Sequence, residues 1–176
     1  VANHQSHIDQ PILASLYRRI DHFAIVAKLS GVWNTPPLAW LFERTGNIVL
    51  RANRPGHNAR ALRLALSALG RGISVGLYPE GTRQRDGRYL APFSLGAFTI
   101  AVRSGVPIVP VVVSRHLPDI DFGEWHAMPH ISHIRVLEPV PTQGLTRADV
   151  GRLRDDVRER MQRVLDRDEA EGPGPV

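Results

Sequence analysis

The 176-residue chain contains no cysteine. That excludes disulfide bonds, thiolate metal sites and a covalent mechanism through a cysteine, and it is compatible with a reducing compartment. There is a single lysine, Lys28, so the formal charge of +5 rests almost wholly on arginine. Arginine forks suit phosphate and anionic headgroups, although a GC-rich genome enriches the same residue across a whole proteome. Aromatic residues make up only 6% of the chain. With the arginines dispersed and no recognisable binding module, nucleic acid is not expected as a partner. Long apolar runs are missing as well. None reaches the roughly 18 residues that span a bilayer, so no transmembrane segment is expected and a membrane would be met only at its surface.

What is present is enough for one core: 43% of the residues are hydrophobic and no tract is of low complexity. One compact domain over residues 1–168 is expected, followed by a disordered tail over 169–176 that contains Gly172-Pro173-Gly174-Pro175. The chain begins at Val1 with a chemically loaded segment at its edge, which suggests an excised domain whose N-terminal segment is missing.

Hydrophobic periodicity alternates between strand and helix. The pattern predicts a helix over 8–18, a strand over 23–27, a turn at Pro36-Pro37 and a short helix over 38–43. Strand 47–50, helix 57–69, strand 73–77, helix 95–103, strand 108–113 and strand 132–137 follow. This alternation predicts an α/β fold with a mainly parallel or mixed sheet and helices on both faces, its active loops at strand ends. In helix 57–69, Leu62, Leu66 and Leu69 fall at core spacing, with Arg60 and Arg63 solvated beside them. Gly96, Ala97 and Phe98 fit a helix packed closely on the sheet. Thr146 and Asp149 begin a helix whose Val150, Leu153, Val157, Met161 and Val164 make one apolar stripe directed at the domain. Trp33 and Trp40 are read first as core, with channel lining or headgroup contact as alternatives. A loop over 117–130 could overhang the site. His116, His126, His130 and His133 match no compact ligand spacing and are read as ordinary surface or core histidines.

Two segments carry chemistry. In Asn3-His4-Gln5-Ser6-His7-Ile8-Asp9 a histidine and an aspartate lie five apart. On one continuous helix, positions five apart sit about 140° around the axis, so a facing His4–Asp9 pair requires a bend. Asn3 and Ser6 suit a turn and cap, and Pro11 tolerates a helix's first turn, which places His4 in a loop and Asp9 on the helix behind it. A base oriented by a carboxylate is one reading; a cap made of polar residues, or a metal site formed by His4, His7 and Asp9, are the others. The second segment, Tyr78-Pro79-Glu80-Gly81-Thr82-Arg83, follows the apolar run 73–77 and reads as a strand end opening into a loop.

Together the two segments resemble the glycerolipid acyltransferase family, with its His-x4-Asp first motif and Phe-Pro-Glu-Gly-Thr-Arg third motif. Gly46-Asn47-Ile48-Val49-Leu50-Arg51 resembles the second motif, and Val106-Pro107-Ile108-Val109-Pro110-Val111 the fourth. The resemblance covers residues 1–140. Three departures stand out: Ala52 occupies the place where many relatives carry the phosphate-binding arginine, Ser94 follows Phe93 where a basic residue is common, and Tyr78 replaces phenylalanine.

The resemblance implies an acyltransferase that moves a fatty acyl group from acyl-CoA or acyl carrier protein to a lysophospholipid hydroxyl, with 1-acyl-sn-glycerol-3-phosphate the first choice. It implies His4 and Asp9 as the catalytic pair, and substrate binding by Arg51 or Arg54, Glu80, Gly81, Thr82 and Arg83. Glu80 would orient Arg83 or the acceptor hydroxyls, and Gly81 would let the backbone come close to the substrate and leave an amide pointing at the developing oxyanion. No metal and no cofactor beyond the acyl donor is implied. The expected location is peripheral, at the cytoplasmic face of a membrane. The rivals are a metal-dependent hydrolase using His4, His7 and Asp9, and a non-catalytic lipid-binding module of the same fold.

Overall fold

The computed structural model describes residues 1–4, 22–28, 36–50, 57–82, 89–114 and 133–170. Three parallel strands, β1 (Phe23–Lys28), β2 (Ile48–Leu50) and β3 (Ser74–Leu77), lie in the order β2-β1-β3. Val26 is opposite Ile48 and Phe23 opposite Ser74. A separate antiparallel pair joins β4 (Val111–Val113) to β5 (Ile134–Val136), with Val112 opposite Arg135. The described strands therefore form two sheets, one parallel and one antiparallel.

Residues 1–3 connect the two halves. The Ala2 N–H donates to the Leu77 carbonyl at 3.1 Å on one side, and the Val111 N–H donates to the Val1 carbonyl at 2.8 Å on the other. Ala2 and Val111 form a parallel bridge. The fully buried Asn3 continues the join with its side chain: Nδ2 donates to the Val113 carbonyl at 3.0 Å and Oδ1 accepts the Val113 N–H at 2.8 Å. An amide side chain carries both a donor and an acceptor, so it can stand in for the backbone of a neighbouring strand.

Of the helices, α1 (Pro36–Arg44) starts where a turn was expected. A proline in the first helical turn lacks an N–H that would have no partner there, and its fixed φ already suits the helix. In α2 (His57–Gly70) the expected leucine stripe flanks the contact instead of forming it. Ala61, Ala65 and Ala68 are the buried residues, while Leu62, Leu66 and Leu69 pack around them. Small side chains let the helix axis lie close to β1, β2 and β3. Arg60 is half exposed and pairs with Glu43 of α1 at 3.7 Å. In α3 (Gly96–Ser104), Ala97, Phe98, Ile100 and Ala101 are buried, and the helix ends at Gly105 with φ +66°. That left-handed cap favours glycine.

The regular part of β4 begins at Val111, later than the expected 108. Pro107 and Pro110 have no N–H to give a ladder. Between them Ile108 makes an isolated antiparallel bridge to Val140. Thr146 and Asp149 form a reciprocal capping box on a 3-10 turn, Arg147–Asp149, and α4 (Val150–Ala170) follows. Of the stripe expected on α4, Val150, Leu153, Val157 and Met161 are in the core, with Val157 and Met161 at 0% exposure; Val164 is only partly buried, and the next residue, Leu165, takes the core place at 1%. The stripe packs with α3, Val112 and Leu90. The helix runs two residues past the expected domain limit at 168.

Successive strand residues point to opposite faces. Val112 and Leu77 thus face the helices, whereas Val111 and Val113 cluster with Ala2, Tyr78 and Ile134 on the other face. The expected helix 8–18, the loop 117–130 and Trp33 lie outside the described residues. Between β3 and residues 106–109 is a cavity of about 520 Å3, lined by Val1, Phe23, Val75, Ile100, Pro107 and Val109 among others. His4, Tyr78 and Glu80 do not line it.

Asn3 is the residue whose loss should reveal the join. Asn3→Ala strips both Val113 backbone groups of their partner in a dry setting, where each such group costs about 1–3 kcal/mol. The variant should lose about 2–4 kcal/mol, read as a lower urea midpoint at unchanged slope. A midpoint equal to that of the parent chain would show that these bonds do not hold the halves together.

Candidate active site

The site is built where β3 ends. The Tyr78 carbonyl accepts the Gly81 N–H at 3.1 Å, closing a turn with Pro79 in its second place. Proline presets the φ that this place needs. Gly81 sits at φ +67°, a backbone region that penalises any Cβ. The Gly81 N–H is thus spent on closing the turn. Thr82 is exposed at the edge of the turn.

Glu80 points inward and is only 8% exposed. Oε1 accepts the His4 backbone N–H at 2.9 Å, and Oε2 accepts the Ala91 backbone N–H at 3.0 Å. Its visible work is thus to bind two main-chain segments, a task the sequence reading did not assign to it. Burial pushes the carboxyl above the ordinary glutamate range; the two amide bonds and the charges of His4 and Arg158 oppose that shift.

His4 is anchored from two directions. Asn3 is tied to β4, and the His4 amide is tied to Glu80. The imidazole stacks on Tyr78, with ring centroids 4.3 Å apart and planes 26° apart. The aromatic residue that replaces the usual phenylalanine therefore forms the platform for the histidine ring. The backbone and one ring face of the histidine are thereby fixed.

A third segment, residues 89–94, closes around Glu80. The Ser94 N–H donates to the Pro79 carbonyl at 2.7 Å. Arg158 of α4 donates through Nε to the Ala91 carbonyl at 3.1 Å and through Nη2 to the Leu90 carbonyl, while Gln162 Oε1 accepts the Leu90 N–H at 2.8 Å. The sequence reading missed Arg158 and Gln162. The available signal was their i,i+4 spacing beside the apolar stripe of α4, which places both on one side of that stripe.

The structure brings His4, Glu80 and Gly81 together. Asp9, His7, Arg51, Arg54 and Arg83 lie outside the described residues, as do His116, His126 and His130. His133 is exposed. Trp40, read first as core, is 58% exposed with the Arg44 guanidinium 5.0 Å from its ring centre.

Known proteins resemble this chain over most of its length. The Acyltransferase family model matches residues 1–114. The 1-acyl-sn-glycerol-3-phosphate acyltransferase alpha of Ovis aries is 36% identical over 177 residues, covering 99% of this chain and 60% of that protein. The Haemophilus influenzae 1-acyl-sn-glycerol-3-phosphate acyltransferase is 34% identical over 98% of this chain and 71% of its own length. A chloroplastic relative from Brassica napus is 33% identical over 92% of this chain but 44% of its own length. The chain thus spans 44% to 60% of the plant and sheep relatives. The crystal structure of the 1-acyl-sn-glycerophosphate acyltransferase PlsC from Thermotoga maritima superposes with a TM-score of 0.66 at 28% identity, over 99% of this chain and 66% of that one. Each of these relatives is named an acyltransferase, and none lends support to the hydrolase reading.

The buried carboxylate makes stability depend on pH. A folded pKa above the unfolded value means that the Glu80 contribution is full below about pH 4.3 and is lost as pH rises through the raised folded value. Glu80→Gln removes this dependence and adds a pH-independent loss, since its amide group offers one acceptor for two N–H donors. Relative to the parent chain, the variant should therefore gain ground as pH climbs from about 4. Urea titrations across that range would show it, and a constant difference between the two proteins would contradict the assignment.

Proposed function

The chain belongs to the acyltransferase family, and from that premise we propose that it transfers a fatty acyl group from a thioester donor, acyl-CoA or acyl carrier protein, to the free hydroxyl of 1-acyl-sn-glycerol-3-phosphate. The observation that carries the reading is the seat of His4: amide held by Glu80, ring laid on Tyr78, at the end of a central strand. The relatives' names supply the acceptor.

In this mechanism the His4 imidazole removes the acceptor hydroxyl proton as that oxygen attacks the thioester carbonyl. Collapse of the tetrahedral intermediate breaks the carbon–sulfur bond, and the departing thiolate takes the proton back from the imidazolium. No acyl-enzyme and no cofactor other than the donor is required. Asp9 is assigned to hold the ring, and Arg51, in preference to Arg54, to take the acceptor phosphate through a bidentate pair, with Arg83 as a second contact. Glu80 acts on the chemistry through the main chain it anchors.

A membrane surface completes the proposal, because both the acceptor and the product are lipids. Among the described residues no helix is long and apolar enough to cross a bilayer. The outward side of α1 offers Trp40 and Leu41, 58% and 53% exposed, beside Arg44, and α2 adds Leu64 at 40%. Tryptophan and arginine side by side suit the headgroup layer of an anionic leaflet at the cytoplasmic face.

Two measurements test this reading. Purified His4→Ala should keep its fold and lose about 10² to 10⁴ in turnover with lysophosphatidic acid and either donor. Near-parental turnover would remove the mechanism. Trp40→Ala combined with Leu41→Ala should weaken flotation with anionic vesicles by about tenfold or more, since each buried apolar side chain is worth about 1.5–3 kcal/mol. Undiminished flotation would move the membrane face elsewhere.

A further inference from the structure

All four backbone polar groups of Leu90 and Ala91 are bonded. The Leu90 N–H is taken by Gln162, the Leu90 and Ala91 carbonyls by Arg158, and the Ala91 N–H by Glu80. Glu80 spends its other oxygen on the His4 amide. A continuous path of polar contacts thus runs from the middle of α4, through one dipeptide and one carboxylate, to the histidine. Both α4 residues lie beyond residues 1–114, the stretch matched by the family.

These contacts are not needed to dock the helix. Val150, Leu153, Val157, Met161 and Leu165 already bury one side of α4 in the core. Arg158 and Gln162, one turn apart, instead recognise a single dipeptide through its backbone. Segment 89–94 would otherwise be fixed by the burial of Leu90 and Phe93 and by the Ser94 bond to Pro79. Apolar contacts tolerate sliding that directional hydrogen bonds do not. Arg158 also lies close enough for its charge to act on Glu80.

We propose that Arg158 and Gln162 are positioning residues for His4, setting the place of the base through Leu90-Ala91 and Glu80. The inference rests on the reading of His4 as the general base. Its chemical content is geometric. A guanidinium fork fixes two carbonyls, the Ala91 N–H then fixes one carboxylate oxygen, and the other oxygen fixes the histidine amide. A misplacement of about 1 Å at a reacting group can cost about 10² in rate.

The test uses the protein bearing Arg158→Ala, Arg158→Lys or Gln162→Leu, with amide hydrogen exchange at His4 and Ala91 measured beside steady-state kinetics. Arg158→Ala should speed exchange at both amides by about tenfold or more and lower kcat by about 10- to 100-fold, with both KM values within about twofold. Arg158→Lys should fall between, because a point charge cannot hold two carbonyls as a fork does. Millimolar guanidinium should restore part of the kcat of Arg158→Ala. If that variant does not fold, the same split between kcat and KM is sought in Gln162→Leu and Arg158→Lys. Parental kcat in folded variants, a loss confined to KM, or unchanged exchange at His4 would overturn the proposal. Full activity in His4→Ala would instead overturn the base assignment, and exchange at the His4 amide would still decide whether α4 holds that segment.

Discussion

Three residues join the two sets of described strands by hydrogen bonds. Without Val1, Ala2 and Asn3, the described strands form a parallel trio and an antiparallel pair with no ladder between them. The Ala2 bond to Leu77 and the Val1 bond to Val111 set this stretch between them as an isolated bridge, and the Asn3 side chain extends the pairing to Val113. His4 comes next in sequence. Its position is therefore a direct consequence of how the sheet is joined.

The choice of glutamate at position 80 follows from counting donors and acceptors. Two backbone N–H groups approach from different segments, and a carboxylate is the side chain that offers them two acceptor oxygens and no competing donor. The cost is a charge taken out of water. Amide dipoles and the charges of His4 and Arg158 offset part of it where three segments meet. Such an arrangement is tolerable in a molecule whose core is otherwise conventional, with alanines seating α2 and an apolar stripe seating α4.

Much of this was legible in the sequence. Alternating periods located every described strand and helix to within a few residues, because burial of one face imposes those periods. Where boundaries moved, proline explains it: Pro36 opens α1 and Pro110 delays β4. The buried residues of α2 were misjudged because leucine advertises a core position more strongly than alanine, although close helix–sheet contact favours the smaller residue. The strand role of residues 1–3 is too short to show a period. At the site, the sequence identified His4 and the turn at 78–81 as chemically loaded. It did not reveal what Glu80 binds, since both partners are backbone amides and leave no trace in residue identity. Arg158 and Gln162 were hidden for the same reason, as polar residues on a helix whose polar side reads as solvent.

The separation of these contacts along the chain has a bearing on how the protein is made. His4 depends on a residue 76 positions later, and Asn3 on one 110 positions later. At roughly 5 to 20 residues per second, the ribosome delivers the histidine about 5 to 20 s before its seat is complete. During that interval residues 1–4 travel without these partners, and long-range pairings of this kind close slowly even once all the parts are present. A nascent chain interrupted before Val113 has His4 in its sequence and nowhere to put it, so its seat is completed late in synthesis.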